Sequence, residues 1–462
     1  MATNRSRANS PLSVRPISAS VSKEEAKHAW FYQVEENYAE EANVFFQKAL
    51  DCRVRALKRC LSYDGSPTLE QQLSSRAYVD SLTLPLDELS ASDQAIEQQA
   101  IFLFSHIANA WNEYLIWQLT KRYPAATQEV SNNDLAALSA RLNKQGLNER
   151  SYQHRVVAEI GDESEKYWTL HHPAPMVLSD AIQLINLSTL VREQHWYEML
   201  PLMALSRSGA HFLLLYRHSP TSIPLLLSTA RICHHIERQH WLFYSEFFQS
   251  RQWHRDGLDC ALTHLNKMGL TKKAKAGDVH SVECYEQQLW QSLHHPHRCC
   301  EIIRMTVSGS RKQRLFFLYL AQKRLIAWLD SQQYQLGFVV IEQPLMIDYY
   351  KSLPSGCFIP SALRVLSKDG LPTYKGLWSI KELNQAFQQA SFADYNQALG
   401  HKPNALHSEK LNHLKLNNHK LNNQKISANH HNQSGHRYCQ PNDKNNAQSQ
   451  QRQPMVKSRT HA

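Results

Sequence analysis

The sequence predicts an α+β fold: an α-helical N-terminal domain, a mixed-sheet domain and a disordered C-terminal tail. Three observations predict it. Between residue 22 and about 165, apolar residues recur at three- and four-residue steps, the period of one helix face. After His171-His172-Pro-Ala-Pro, short apolar strand-like runs alternate with helical ones across short connections, the pattern of a mixed α/β layer. From His401 onward, Asn, Gln, His and Lys replace apolar residues, so this segment cannot bury enough surface to fold. The boundaries read as a disordered leader at 1–21, a helical domain at 22–175, a sheet domain at 176–400 and a basic Asn/His-rich tail at 401–462.

The elements follow in order. Ser22-Lys-Glu-Glu opens the first helical stretch, with Ser22 as N-cap and Glu25 three positions on. It runs to about Tyr63, where Asp64-Gly-Ser-Pro stops it. A second helix extends from about Ser92 to Arg122, and Ile101, Phe104, Ala108, Trp111, Leu115 and Leu119 form its seam. Shorter helical patterns lie near 132–145 and 149–160. Ser179 is placed to cap a helix through Ala181, Leu184, Ile185 and Leu190. Strand-like segments are His211–Arg217, Pro224–Cys233, Cys299–Ser308 and Gln335–Glu342, the last two separated by a helix from Lys312 to Asp330. Pro344 begins a short helix that ends before Pro354, and Cys357–Leu366 and Leu371–Trp378 complete the sheet.

Composition narrows the function. The 462 residues are 42% apolar and 10% aromatic, enough for a core. Lys plus Arg is 51 against 41 for Asp plus Glu, a charge of +10. The tail contributes +8 and the leader +3, so residues 22–400 carry about −1. A nearly neutral folded part argues against a nucleic-acid surface. No run reaches the roughly 18–20 apolar residues of a spanning helix, and the N-terminus has no apolar signal core. Nine cysteines without a C-x-x-C pair fit reduced thiols. The expectation is a cytoplasmic protein with no transmembrane segment. His234-His235…His240 and His294-His295-Pro-His297 raise a metal reading, and Cys233, His235, His240 and Cys260 could be arranged as ligands on paper. Glu237 and Arg238 mark a solvated turn instead, and no metal is expected. G-x-S-x-G is absent.

The richest stretch is Glu301-Ile-Ile-Arg304-Met-Thr-Val-Ser308, followed by Gly309-Ser-Arg-Lys-Gln-Arg314. A strand entering a Gly/Ser turn at a helix start leaves N–H groups and the positive helix end facing outward, which favours a phosphate. Arg311, Lys312 and Arg314 would reinforce it. The alternative is an ordinary strand–turn–helix with solvated basic residues.

E-I-I-R-M-T-V-S resembles the E-[LI]-[ST]-R-[FLM]-x-V strand of the acyl-homoserine-lactone synthases, whose fold resembles the GNAT acyltransferases. Ser228-Thr-Ala-Arg231 is similar to the arginine-bearing strand before it, and Gly337-Phe-Val-Val-Ile to the strand after it. Ile341-Glu-Gln-Pro-Leu-Met and Tyr374-Lys-Gly-Leu-Trp resemble the LuxM/AinS branch. The resemblance covers roughly residues 180–400 by motif and implies a GNAT-like catalytic domain. It implies transfer of an acyl group from acyl carrier protein or coenzyme A to the amine of S-adenosylmethionine, then lactone closure with loss of methylthioadenosine. These are substrates; no permanently bound cofactor is implied.

Within that resemblance Glu301 is the candidate base, directly or through a water, because the attacking amine must lose a proton near pH 7. Arg231 and Arg304 would orient carboxylates. Val307, Gly309, Ser310 and Arg311 would bind the cofactor-like part of a substrate, with exposed N–H groups meeting the thioester oxygen. Met305, Phe338 and Val340 would line an acyl pocket between splayed strands. Strict alternation sets Glu301 and Arg304 on opposite faces, and a bulge would reconcile them. The LuxI branch carries an R…F…W…D…D pattern ahead of these strands. Here Phe247…Trp253…Asp256…Asp259 follows Arg231, so those roles are not carried across. Another GNAT-like N-acyltransferase, or a helical adaptor using its basic tail, are the alternatives.

Overall fold

A computed structural model describes residues 22–400 apart from 62–68, 76–77, 79–87, 125–127, 204–207, 251, 256–257, 273–280, 342–343, 355 and 366–371. The expected leader, tail and Asp64-Gly-Ser-Pro stop lie outside the described residues.

Helix α1 (Lys23–Tyr38) starts where the sequence places it. The Ser22 hydroxyl accepts the Glu25 N–H at 3.3 Å, and the Glu25 carboxylate accepts the Ser22 N–H at 3.0 Å. The single helix expected to reach Tyr63 is instead broken at Ala39, whose φ is 47°, and resumes as α2 (Ala42–Leu61). The next expected helix is likewise two, α3 (Ala91–Phe104) and α4 (Ile107–Thr120), divided at left-handed Ser105. His106 starts α4 by accepting the Asn109 N–H on Nδ1 at 3.0 Å. Both breaks fold the chain back so that Trp30, Phe31, Phe46, Trp111 and Tyr114 meet in one aromatic core. Helix α5 (Gln128–Gln145) follows.

The helix expected near 149–160 is a strand. There β1 (Tyr152–Val157) pairs antiparallel, Tyr152 opposite Tyr216, and the partner strand outweighs the local helical spacing. β2 (Lys166–Thr169) and β3 (His172–Val177) follow, so the sheet begins well before residue 176. Helix α6 (Leu178–Asn186) is preceded by Val177 as its cap residue, and Ser179 sits inside the first turn rather than capping it. The chain then passes into a π-helix, Leu187–Glu193.

The remaining strands are β4 (Ala210–Tyr216), β5 (Leu225–His234), β6 (His254–Arg255), β7 (Cys299–Val307), β8 (Leu336–Ile341), β9 (Phe358–Val365) and β10 (Pro372–Ser379). The remaining helices of nine residues or more are α7 (Leu258–Lys267), α8 (Val282–Ser292), α9 (Arg311–Ser331), α10 (Pro344–Ser352), α11 (Ile380–Gln389) and α12 (Phe392–Gly400). The sheet runs β1-β4-β5-β7-β8-β10-β9-β6, with β2 joined to β3 and β5. Neighbours are antiparallel except β7 with β8 and β2 with β5, which confirms a mixed sheet in an α+β fold.

Strand alternation sorts the core into two layers. Leu213, Cys233, Ile303 and Phe338 pack with α1–α4 and α6, whereas Phe212, Ile232, Ile302 and Val339 pack with α9 and α11. Described residues through Gly400 form one compact unit. Among the described residues, no helix is long and apolar enough to cross a membrane.

Candidate active site

The parallel strands β7 and β8 pair only from Cys299 opposite Leu336 to Ile302 opposite Val339. Beyond that, β7 stays with β5 and parts from β8. The cause is local. Between the pairs Arg231–Ile303 and Thr229–Thr306, β7 carries one residue more than β5. This bulge falls at Arg304, whose φ is +54°, a conformation that costs a non-glycine residue about 1–3 kcal/mol. A bulge bends its strand and re-aims side chains. Arg304 therefore comes within electrostatic reach of both Glu301 and Arg231, as the motif required.

Glu301 is wholly buried. Its two oxygens accept the N–H groups of Leu242 at 3.0 Å and Phe243 at 2.5 Å. Burial pushes its carboxyl up to about 7, against the opposing pull of those two amides and of Arg304 and Arg231. Arg304 is itself pushed down to about 10, by burial first and then by the like charge of Arg231. Arg231 lies half-buried across Gly209, where an added Cβ would stand 3.3 Å from its Nη2. Among the described residues Arg231 makes no ion pair, and its Nε is buried without a hydrogen-bond partner. Two guanidinium groups thus act on the buried Glu301 carboxylate, while the Glu159 carboxylate, which accepts the Gly209 N–H at 2.8 Å, acts on His211 beside them.

Other polar groups point into the same place. His211 lies opposite Arg231 in the sheet. Its Nδ1 meets the Gly209 carbonyl oxygen at 3.0 Å, leaving Nε2 buried without a hydrogen-bond partner among the described residues. Burial, with Arg231 and Arg304 adding to it, pushes His211 down to about 4, so it is neutral at pH 7. Among the described residues Thr229 Oγ1 and Asn186 Nδ2 are also buried without hydrogen-bond partners, while Asn186 Oδ1 accepts from the Thr306 hydroxyl at 3.3 Å. Buried polar atoms left unpaired mark a place where a polar ligand gains what the protein does not supply.

The opening between β7 and β8 is a cleft of about 650 Å³, counting its open mouth. Leu190, Gln194 and Trp196 line one end, supplied by the π-helix and the turn after it; π-helical turns are rare and cluster at functional sites. Arg304, Met305, Ile302, Val339 and Val340 form the gap itself. Leu318, Met346 and Tyr350 line the far end. The cleft therefore passes through the sheet from one layer to the other.

Of the residues singled out from sequence, Arg304, Met305 and Val340 line this cleft. Glu301 and Arg231 stand behind Arg304 rather than in the lining. Phe338 is also outside it: opposite Glu301, before the strands part, it packs on Trp241 and Phe243 with ring centroids 5.2 and 5.1 Å away. Val307, Gly309, Ser310 and Arg311 lie beyond the bulge and do not line the cleft. There the Gln313 side chain accepts the Ser310 N–H at 3.0 Å, Gly309 has φ +115°, and Arg311 is exposed. Arg314 is paired with Glu193. Trp253 and Phe247, left without a role, are packing residues: the Trp253 indole donates to the Phe247 carbonyl at 3.1 Å. His235 and His297 do approach, with ring centroids 6.4 Å apart. Among the described residues, however, no three His, Cys, Asp or Glu side chains are grouped to hold a metal.

Sequence reasoning missed His211, Trp196, Gln194 and the amides of Leu242 and Phe243. His211 had a signal, being the one polar side chain opening the apolar run HFLLLY. The others had none, because a π-helix and a backbone amide leave no residue pattern.

The profile of the acyl homoserine lactone synthase family matches residues 24–405. The chain is similar to the acyl-homoserine-lactone synthase LuxM of Vibrio harveyi, 30% identical over 311 residues that span 67% of this chain and 75% of that one. It is similar to OpaM, the acyl-homoserine-lactone synthase of Vibrio parahaemolyticus, at 29% identity over 326 residues, 70% of this chain and 78% of that one. LuxM of Vibrio atlanticus is 29% identical over 316 residues, 68% and 78% of the two chains.

Proposed function

The chain belongs to the acyl-homoserine-lactone synthases, enzymes of quorum-sensing autoinducer synthesis, and from that premise we propose how its own residues carry the reaction. The acyl donor is a thioester of acyl carrier protein or coenzyme A, and the acceptor is S-adenosylmethionine. Supporting this reading above all is the convergence beside the cleft of Arg304 and half-buried Arg231, whose Nε has no hydrogen-bond partner among the described residues, an arrangement suited to a carboxylate ligand.

The methionine carboxylate of the acceptor sits against the two guanidinium groups, and the acyl chain enters the gap between β7 and β8. The amine attacks the thioester carbonyl carbon; an N–C bond forms, the C–S bond breaks and the thiol departs. The amine proton passes through a water to Glu301, whose affinity near pH 7 suits it to take and return a proton. Beyond Ile302, where β7 no longer pairs with β8, backbone N–H groups of β7 along the gap meet the thioester oxygen as charge grows on it. The substrate carboxylate then attacks the carbon next to the sulfonium. A C–O bond closes the lactone, the C–S bond breaks and neutral methylthioadenosine leaves.

The test is product analysis. Purified protein given S-adenosylmethionine and either acyl thioester releases methylthioadenosine and an acylated lactone, both identified by mass spectrometry. Acylation without methylthioadenosine would mean a different amine acceptor.

The cleft makes a second prediction. Val340→Trp fills the gap beside Met305, and each methylene a pocket can no longer hold is worth about 1–3 kcal/mol. In competition between thioesters of different length, the ratio of kcat/KM for long over short chains falls by roughly tenfold or more. An unchanged ratio would place the acyl chain elsewhere.

A further inference from the structure

On the face of the sheet that carries Glu301, β10 and α8 bury an ion pair that the chemistry above leaves unused. Lys375 Nζ stands 2.8 Å from Glu286 Oε2, and neither side chain reaches solvent. Lys375 also donates to the Phe248 carbonyl at 2.8 Å, and its ammonium lies 4.2 Å from the centre of the Phe243 ring. The Ser361 hydroxyl donates to Glu286 Oε1 at 2.8 Å. Gln249 Nε2 donates both to Glu286 Oε2, at 2.6 Å, and to the Phe243 carbonyl, at 3.2 Å. Phe243 in turn gives its N–H to Glu301. An unbroken run of polar contacts joins Glu286 to Glu301 through Gln249 and Phe243.

A buried pair of this kind is a weak device for stability, since apolar residues of equal volume often do as well or better. Its contacts converge on one segment, the turn Leu242–Tyr244 and the short helix Glu246–Gln249. We infer that Glu286, Lys375 and Gln249 are positioning residues, clamping this segment so that the Leu242 and Phe243 amides hold the Glu301 carboxylate aimed and ionised for proton transfer. The inference rests on the reading of Glu301 as the base.

Titratable and charged groups surround or adjoin Glu301 on every side. Arg304 and Cys300 come from its own strand, Arg231 and Cys233 from β5, Lys375 from β10, and the two amides from the Leu242–Tyr244 turn. The cations and amides all favour the charged carboxylate, and burial opposes them. Slackening the clamp withdraws the amides, so Glu301 holds its proton to higher pH.

Two variants test this. Gln249→Leu cuts the link to Phe243, leaves the ion pair whole and so isolates the clamp; Glu286→Leu with Lys375→Met removes both charges, and its shift adds the direct loss of the Lys375 cation to that of the clamp. Thermal melting establishes that each is folded, and half-buried Gln249 carries the test if the double variant is not. The expected result is an acid limb of kcat/KM displaced upward by roughly one pH unit, with kcat lowered about tenfold and KM for S-adenosylmethionine little changed. A second reading needs no turnover: infrared titration of the carboxyl band that Glu301→Gln deletes. Its midpoint should rise by the same amount. Folded variants with an unmoved band and limb would overturn the clamp and leave Glu286 and Lys375 as packing. A moved band together with full turnover in Glu301→Gln would instead uphold the clamp and remove Glu301 from the chemistry.

Discussion

Glu301→Gln lowers kcat by roughly 10²–10⁴, the usual worth of a general base, and removes the acid limb of the pH profile. The wild-type sign follows from burial. With its carboxyl pushed up to about 7, Glu301 is largely protonated at pH 6 and cannot accept the amine proton. It is largely ionised at pH 8 and can. Turnover therefore climbs with pH through about 7 in the wild type, and the variant loses that rise. Glutamine retains one acceptor oxygen for the pair of N–H donors from Leu242 and Phe243, and turns an NH₂ toward the other. Some loss of stability accompanies the change, so melting must be measured before rates are compared. A folded Glu301→Gln enzyme with wild-type kinetics and an intact acid limb would refute the assignment.

Arg231→Met produces the other large loss. The substitution retains an apolar stem over Gly209 and removes the guanidinium that no protein carboxylate pairs among the described residues. Arg304 is then the one guanidinium acting on Glu301, and the pocket holds a carboxylate ligand less tightly. Truncating one partner of a buried charge pair costs about 2–5 kcal/mol. The expected fall in kcat/KM for S-adenosylmethionine is thus on the order of 10²–10³-fold, with the fold retained by circular dichroism. An analogue whose carboxylate is replaced by an amide should discriminate poorly between the two enzymes. Equal kcat/KM for wild type and Arg231→Met would show that the substrate carboxylate binds elsewhere.

Much of this site was legible in the sequence because its signals are local. Glu301, Arg304 and Arg231 lie in strands whose apolar runs fix their placement, and the conflict between their spacing and strict alternation itself called for the bulge that Arg304 makes. Helix α9 and strands β4, β5, β7, β8, β9 and β10 emerged close to their expected bounds for the same reason. The failures share one cause, pairing across long sequence separations. Residues 152–157 carry no decisive strand pattern and become β1 because β4 offers them an edge. The breaks at Ala39 and Ser105 follow from how the helices fold back on one another, which no helical periodicity encodes. Phe338 shares the alternation of Val340 and still misses the cleft, because the strands part only after it. The link from Glu286 to Glu301 crosses three segments far apart in the chain, so no spacing could announce it.

Four residue pairs, Cys299 to Ile302 against Leu336 to Val339, are the whole seam between two halves of the sheet. Helices α9 and α11 pack together beside that seam, and the core on each face of the sheet draws side chains from both sides of it. On the proposed reading, the point at which the four pairs stop bounds the length of chain the gap accepts, together with the side chains that line it.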